Sequence, residues 1–264
     1  MFHAVVIGIS HYADPKIRDL RFAREDAEAV AALLEHRVEG RHCVTLLVDD
    51  QATTSRITSL MTDELPRHVR EDDEVLVFFA GNGSPEVEST HGEPSMHAVT
   101  YDTDYARLSS TAIDMVTQLA TWVRRLNAGH VGVVVDASFN GAAGGRTFEG
   151  PGLWSGPRTR RLDRVSLNRL ALGAHGVLLS ACTDKESAVE DAAYRHGVFT
   201  HHLLDHVGRA PEGPLTLAAL YDGVAAAVKD ATSGAQTPAF HGTRTSRPFM
   251  RLGRTLKAPR SASV

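Results

Sequence analysis

The sequence predicts an α/β fold with helices on both faces of one mainly parallel sheet. Two observations carry that reading. Short apolar runs rich in β-branched residues recur without strict alternation, as strands buried on both faces require. Between them lie stretches with helical apolar spacing, and alternating strand and helix calls for right-handed crossovers. At 264 residues the chain suits one such unit, and no repeat or linker marks a second.

The strands come first. The runs are HAVVIGIS (3–10), CVTLLVDD (43–50), EVLVFFAG (74–81), HVGVVVDAS (130–138) and HGVLLSAC (175–182). The helices fall between and after them. RFAREDAEAVAALLEHRV aligns Phe22, Ala23, Ala27, Val30, Ala31 and Leu34 on one stripe with charges opposite. TTSRITSLMTDEL opens with threonines able to cap it and spaces Ile57, Leu60 and Met61 helically. SSTAIDMVTQLATWVRRLNAG reads as one helix, with Ser/Thr before it, a stripe of Ile113, Val116, Leu119, Ala120 and Val123, and Asn-Ala-Gly to end it. Two further helices are expected near FTHHLLDHV and LTLAALYDGVAAAVKDA. The Gly-, Pro- and Arg-rich stretch 140–161 has no period and reads as a solvated basic surface loop.

Charge and cysteine usage narrow the function classes. A formal net charge of −4 argues against a nucleic-acid binder dominated by phosphate contacts. The two cysteines, Cys43 and Cys182, lie in or beside apolar runs and read as buried thiols of a reducing compartment rather than a disulfide framework. The start, MFHAVVIGIS, lacks a basic n-region, and its apolar run is too short for a signal peptide or membrane span. A cytoplasmic protein is expected, without nucleic-acid or membrane partners. Tyr101–Asp104, YDTD, brings only two carboxylates where calcium needs six or more oxygens, so no metal or cofactor is expected.

Sites in such sheets lie beyond the carboxyl ends of the strands. Two tips stand out there: Gly81-Asn82-Gly83 after the third run, and Asp136-Ala137-Ser138-Phe139-Asn140-Gly141 after the fourth. Together with AVVIGISHYAD, LRFAREDAEAVAALL, YDTD, GVLLSAC, HGVFTHHLL and QTPAFHG, in this order and spacing, they resemble the caspase/metacaspase family, in particular its bacterial metacaspase-like branch. The resemblance spans roughly residues 3–252. It implies a three-layer α/β/α sandwich on a six-stranded, mostly parallel sheet whose last strand, from QTPAFHG, is antiparallel, with RPFMRL near the edge. It also implies a single domain over 1–253, leaving 254–264 as a disordered tail.

In members that cut peptides, the first tip reads Gly-His-Gly and the second Asp-x-Cys-x-x-Gly, the histidine and cysteine forming a dyad. The resemblance puts Asn82 at the histidine position, Ser138 at the cysteine position and Gly83 in the oxyanion region. An amide does not titrate near neutral pH, and a serine hydroxyl needs a base far more than a thiol does. His91, His97, His175, His201, His202 and His241 fall in loops or strand ends, where exposed or core side chains are expected rather than a base for Ser138. Cys182 is implied to be structural.

Metacaspases prefer a basic residue before the cut, and the resemblance assigns its acidic pocket to Asp26 and Asp136, two carboxylates able to grip a guanidinium. The loop after Ser138 contains GGR and RTRR, matches to that preference, and the RTRR stretch could occupy the cleft. Three functions stay open: a pseudoprotease binding a peptide or protein partner, possibly basic; a cysteine endopeptidase cutting after Arg or Lys, seen here in inactivated form; and a fold turned to small-ligand chemistry. The oligomeric state is not legible.

Overall fold

The computed structural model describes residues 1–84, 87–88, 94–139, 145–148, 172–183 and 185–254. Each of the five apolar runs forms a strand: β1 Phe2–Gly8, β2 His42–Val48, β3 Glu74–Ala80, β4 His130–Asp136 and β5 Gly176–Ser180. With β6, Ala239–His241, they make one sheet in the order β6-β5-β4-β3-β1-β2. All neighbours are parallel except β6, which runs antiparallel to β5, with Phe240 opposite Leu179. The six-stranded sheet with an antiparallel last strand is as expected. Every residue of β1, β4 and β5 is buried, the covering on both faces that continuous apolar runs require.

One face packs against α1 (Ala23–Arg37), α4 (Val198–Arg209) and α5 (Leu217–Ala231), joining Val6, Phe78 and Val134 to Val30, Leu203 and Leu220. The other carries Ile57, Met61, Leu119 and Val123 over Val5, Val77 and Val133. Helix α2 (Thr54–Ser59) supplies Ile57, with Thr53 Oγ1 accepting the Arg56 N–H, and a π turn at Leu60–Glu64 leads on to Leu65–His68. The result is three layers.

Two expectations need correction. The stretch 109–129 is not one helix. It splits into Leu108–Thr111, an Ile113–Asp114 strand, a π turn at Met115–Leu119 and α3, Ala120–Arg125. Asp114 causes the restart, because its Oδ1 accepts the Val116 and Thr117 N–H groups, both at 2.8 Å. In RPFMRL, Met250–Leu252 pairs antiparallel with Gly213–Leu215 as a separate two-stranded sheet. Cys43 is exposed, since β2 is an edge strand covered less completely than its neighbours, whereas Cys182 is buried as expected. The tail expected over 254–264 lies outside the described residues apart from Arg254. Among the described residues, no helix is long and apolar enough to cross a membrane.

Candidate functional site

Parallel register carries β3 and β4 to the same edge, with Ala80 opposite Asp136. Two residues farther along each strand stand Asn82 and Ser138, so the two tips are level. The Gly81 N–H donates to Asp136 O at 3.3 Å and closes the gap between them. Gly83 must be glycine, because a Cβ there would lie 2.6 Å from Ser138 O and 2.7 Å from the Phe139 ring. Both tip side chains are fully buried.

Asn82 is held from several sides. Its N–H donates to Tyr12 Oη at 2.8 Å, its Nδ2 donates to Arg18 O at 2.9 Å, and its Oδ1 is buried with no partner among the described residues. Ser138 Oγ accepts the Ala188 N–H at 2.6 Å and lies 3.4 Å from Ala188 O. Among the described residues, no histidine takes the Ser138 proton. Burial pushes the pKa of the His97 imidazole down. On α4, His201 stacks on Tyr194 at 3.9 Å, and burial lowers the pKa of both His201 and His202. His241 sits level with Leu178, which faces Val133, well back along the strands from Ser138. His175 is exposed just before β5, and His91 lies outside the described residues. Cys182 Sγ lies 3.4 Å from Glu186 O, and burial pushes its thiol up to about 12, which leaves it inert.

Asp26 and Asp136 converge, and what they converge on is Arg146. Asp26 belongs to the buried stripe of α1 rather than its solvated side, and Asp136 is the last residue of β4. The fully buried Arg146 guanidinium reaches Asp26 Oδ2 at 2.5 Å and Asp136 Oδ2 at 3.1 Å. It also reaches Glu190 Oε1 at 3.1 Å. The reading of 140–161 as a solvated loop fails at Arg146, which is fully buried. The occupant comes from GGR, while RTRR lies outside the described residues. The physical cause is charge: two carboxylates buried side by side need a cation, and this one is eight residues from Ser138.

Sequence reasoning missed four residues here. Glu190 also accepts the Phe22 N–H at 2.9 Å, tying the pocket to the start of α1. His196 Nδ1 meets Asp26 Oδ1 at 2.6 Å, and the Gly197 N–H donates to Asp26 Oδ2 at 3.1 Å. Thr200 Oγ1 donates to Asp136 Oδ2 at 2.7 Å. His196, Gly197 and Thr200 fall in HGVFT, a stretch singled out by the resemblance, but Glu190 belongs to no pattern. Burial pushes the Asp136 carboxyl above its ordinary value, with the Arg146 charge pulling the other way and Asp26 reinforcing the rise. For Arg146, burial works against the charge, but the carboxylates of Asp136, Asp26 and Glu190 outweigh it and raise the pKa.

A separate cleft of about 1160 Å³, lined by Met1, His3, Asp73 and Glu74 among others, opens near the amino-terminal ends of the strands and shares no residue with this site. Among the described residues, no group of His, Cys, Asp and Glu could hold a metal ion.

A family model described as the caspase domain matches residues 1–250. No curated protein matches the sequence significantly. Solved structures do. A crystal structure of a protein from Geobacter sulfurreducens has a TM-score of 0.66 at 19% identity, covering 96% of this chain and 99% of that one. Caspase-1 from Spodoptera frugiperda has a TM-score of 0.58 at 13% identity, covering 95% and 88%. At such identities the likeness is one of fold.

Proposed function

The chain belongs to the caspase-domain family, and from that premise we propose that it is a catalytically silent member, a pseudoprotease that binds peptide without cutting it. In this reading Asn82 and Ser138 stand at the positions of the family's histidine and cysteine. One observation carries it: the two level strand tips present an amide and a hydroxyl with no proton acceptor between them among the described residues. Asn82 Nδ2 is committed to Arg18 O, and an amide cannot serve as a base. Ser138 Oγ is committed to the Ala188 main chain. Without a base, a serine hydroxyl stays protonated and is a poor nucleophile.

The binding half of the proposal rests on what accompanies the tips. Asp26, Asp136 and Glu190 form an acidic pocket beside Ser138, a setting suited to a planar guanidinium. Beside that pocket the Gly83 N–H donates to the Arg146 carbonyl oxygen at 3.1 Å. The partner class that fits is a peptide or protein segment bearing a basic residue.

The experiment incubates the purified protein, and its Ser138→Ala variant, with fluorogenic peptides carrying Arg or Lys before the reporter bond. No turnover above the variant's background is expected. Turnover that disappears in Ser138→Ala would overturn the proposal and place a working base near Ser138.

A further inference from the structure

Residues Gly145–Phe148 lie along the two strand tips as a bound peptide would. The Arg146 N–H donates to Ala188 O at 3.0 Å, and the Phe148 N–H donates to Gly83 O at 2.7 Å. Thr147 bridges Gly83 in parallel register, and its Oγ1 donates to Gly83 O at 3.2 Å. Main-chain pairing of this kind holds an extended segment, while side-chain pockets decide which segment it is.

The Arg146 carbonyl is the informative atom. Its oxygen accepts the Gly83 N–H at 3.1 Å and the Ser138 N–H at 2.8 Å. Two main-chain donors converging on one carbonyl oxygen, one of them from the residue that bears the strand-tip hydroxyl, is the arrangement that stabilises a developing oxyanion in acyl transfer. The carbonyl held there belongs to the residue whose side chain fills the acidic pocket, and the bond that follows it is Arg146–Thr147.

We infer that Gly145–Phe148 is a resident substrate mimic, and that the ligand this cleft takes in trans is an extended peptide of the pattern glycine-arginine-small-aromatic, entering by replacing that segment. The inference rests on the peptide-binding reading above. Each position of the pattern has its own cause. A Cβ on Gly145 would lie 2.8 Å from Ser187 Cβ and 3.1 Å from Ser138 Oγ, so the residue before the arginine has no room for a side chain. Arginine is selected over lysine because its two Nη atoms reach carboxylates on three separate segments at once, which a single ammonium does not. Thr147 is buried, which limits the next residue to a small one. The Phe148 ring is 1% exposed and packs on Tyr105 with centroids 5.4 Å apart, an aromatic seat. A free peptide must compete with a tethered one, whose effective concentration is on the order of millimolar for short connections. Self-occupancy therefore sets the threshold for any partner.

The test measures binding of a fluorescein-labelled Gly-Arg-Thr-Phe peptide by anisotropy, with Gly-Gln-Thr-Phe as control. The proteins are the unmodified chain, Arg146→Gln and Arg146→Lys. The Arg peptide should bind Arg146→Gln at least about tenfold more tightly than the unmodified chain, with Arg146→Lys between them, following the loss of the tethered competitor. The Gln peptide should show no such gain. Arg146→Lys keeps a cation among the three carboxylates, so the comparison survives even if Arg146→Gln does not fold alone. Equal affinity of the Arg peptide for all the folded proteins, or no binding to either variant at millimolar peptide, would overturn the inference. Mass spectrometry of the recovered peptide separates the two readings. A cut peptide would contradict the silent-enzyme proposal and leave self-occupancy standing, whereas an intact peptide with equal affinities would contradict self-occupancy alone.

Discussion

Replacing either pocket aspartate by asparagine removes one charge from the same cluster, yet Asp26→Asn should cost more than Asp136→Asn. Asp26 is hemmed in by donors on both oxygens. Oδ1 faces His196 Nδ1 at 2.6 Å and the Gly197 N–H at 3.2 Å, while Oδ2 faces the Gly197 N–H at 3.1 Å and Arg146 Nη2 at 2.5 Å. An asparagine amide must turn its NH2 toward one of these sets, setting donor against donor and leaving buried Arg146 short of a counter-charge. Breaking a buried ion pair from one side costs about 3–5 kcal/mol. Asp136 is arranged differently. Among the described residues its Oδ2 takes every side-chain bond, from Arg146 Nη1 at 3.1 Å, Thr200 Oγ1 at 2.7 Å and the Thr200 N–H at 3.3 Å, while its Oδ1 is buried without a partner. An asparagine can put its oxygen where Oδ2 was and keep those bonds, while its NH2 on the empty side becomes a buried donor without a partner, at a cost of about 1–3 kcal/mol.

The sign of the pH dependence follows from the same geometry. The folded-state pKa of Asp136 is raised, chiefly by burial. The fold therefore binds that proton more tightly than the unfolded chain does. The associated stability is present below the unfolded pKa and is lost as pH rises through the folded one. Asp136→Asn cannot ionise, so its disadvantage should shrink as pH rises. Urea unfolding of the three proteins between pH 5 and 9, followed by tryptophan fluorescence, measures both quantities. An Asp136→Asn penalty equal to or larger than that of Asp26→Asn, at all pH values, would refute the donor argument.

Thiol labelling under native conditions should modify Cys43 rapidly and Cys182 only on unfolding, because Cys43 is exposed while burial pushes the Cys182 thiol up to about 12. Fast labelling of both would contradict the packing around Cys182. At the opposite edge of the sheet, burial lifts the Glu74 carboxyl to about 7 against the pull of Arg247. Its stabilising proton is held below its ordinary range and lost as pH climbs through 7, so Glu74→Gln should gain on the unmodified protein between pH 5 and 8. Partial solvation limits the gain to about 1 kcal/mol, and a stability difference that does not vary with pH would refute the shift.

How much of this the sequence determined by itself follows from the range over which each signal acts. The five apolar runs become strands because a segment buried on both faces needs apolar side chains at every position, a property legible in the run itself. The two tips were legible for the same reason: each run stops at a turn of small residues, and parallel register brings Asn82 and Ser138 level. Chemical type was legible too, since an amide and a hydroxyl declare what they cannot do.

Tertiary structure decided whatever depended on segments meeting. The helix expected over 109–129 broke because Asp114 could turn its carboxylate onto two main-chain N–H groups, a local contest that apolar spacing does not record. Cys43 is exposed because β2 takes the edge of the sheet, a fact of strand order and not of composition. Arg146 shows the same limit most clearly. In a Gly-rich stretch it reads as a solvated cation, and nothing beside it in the chain says otherwise. It is buried because α1, β4 and Glu190 bring three carboxylates to one point, and a desolvated negative cluster is stable only with a positive charge inside it. That requirement belongs to the assembled site, so it exists only once the chain has folded.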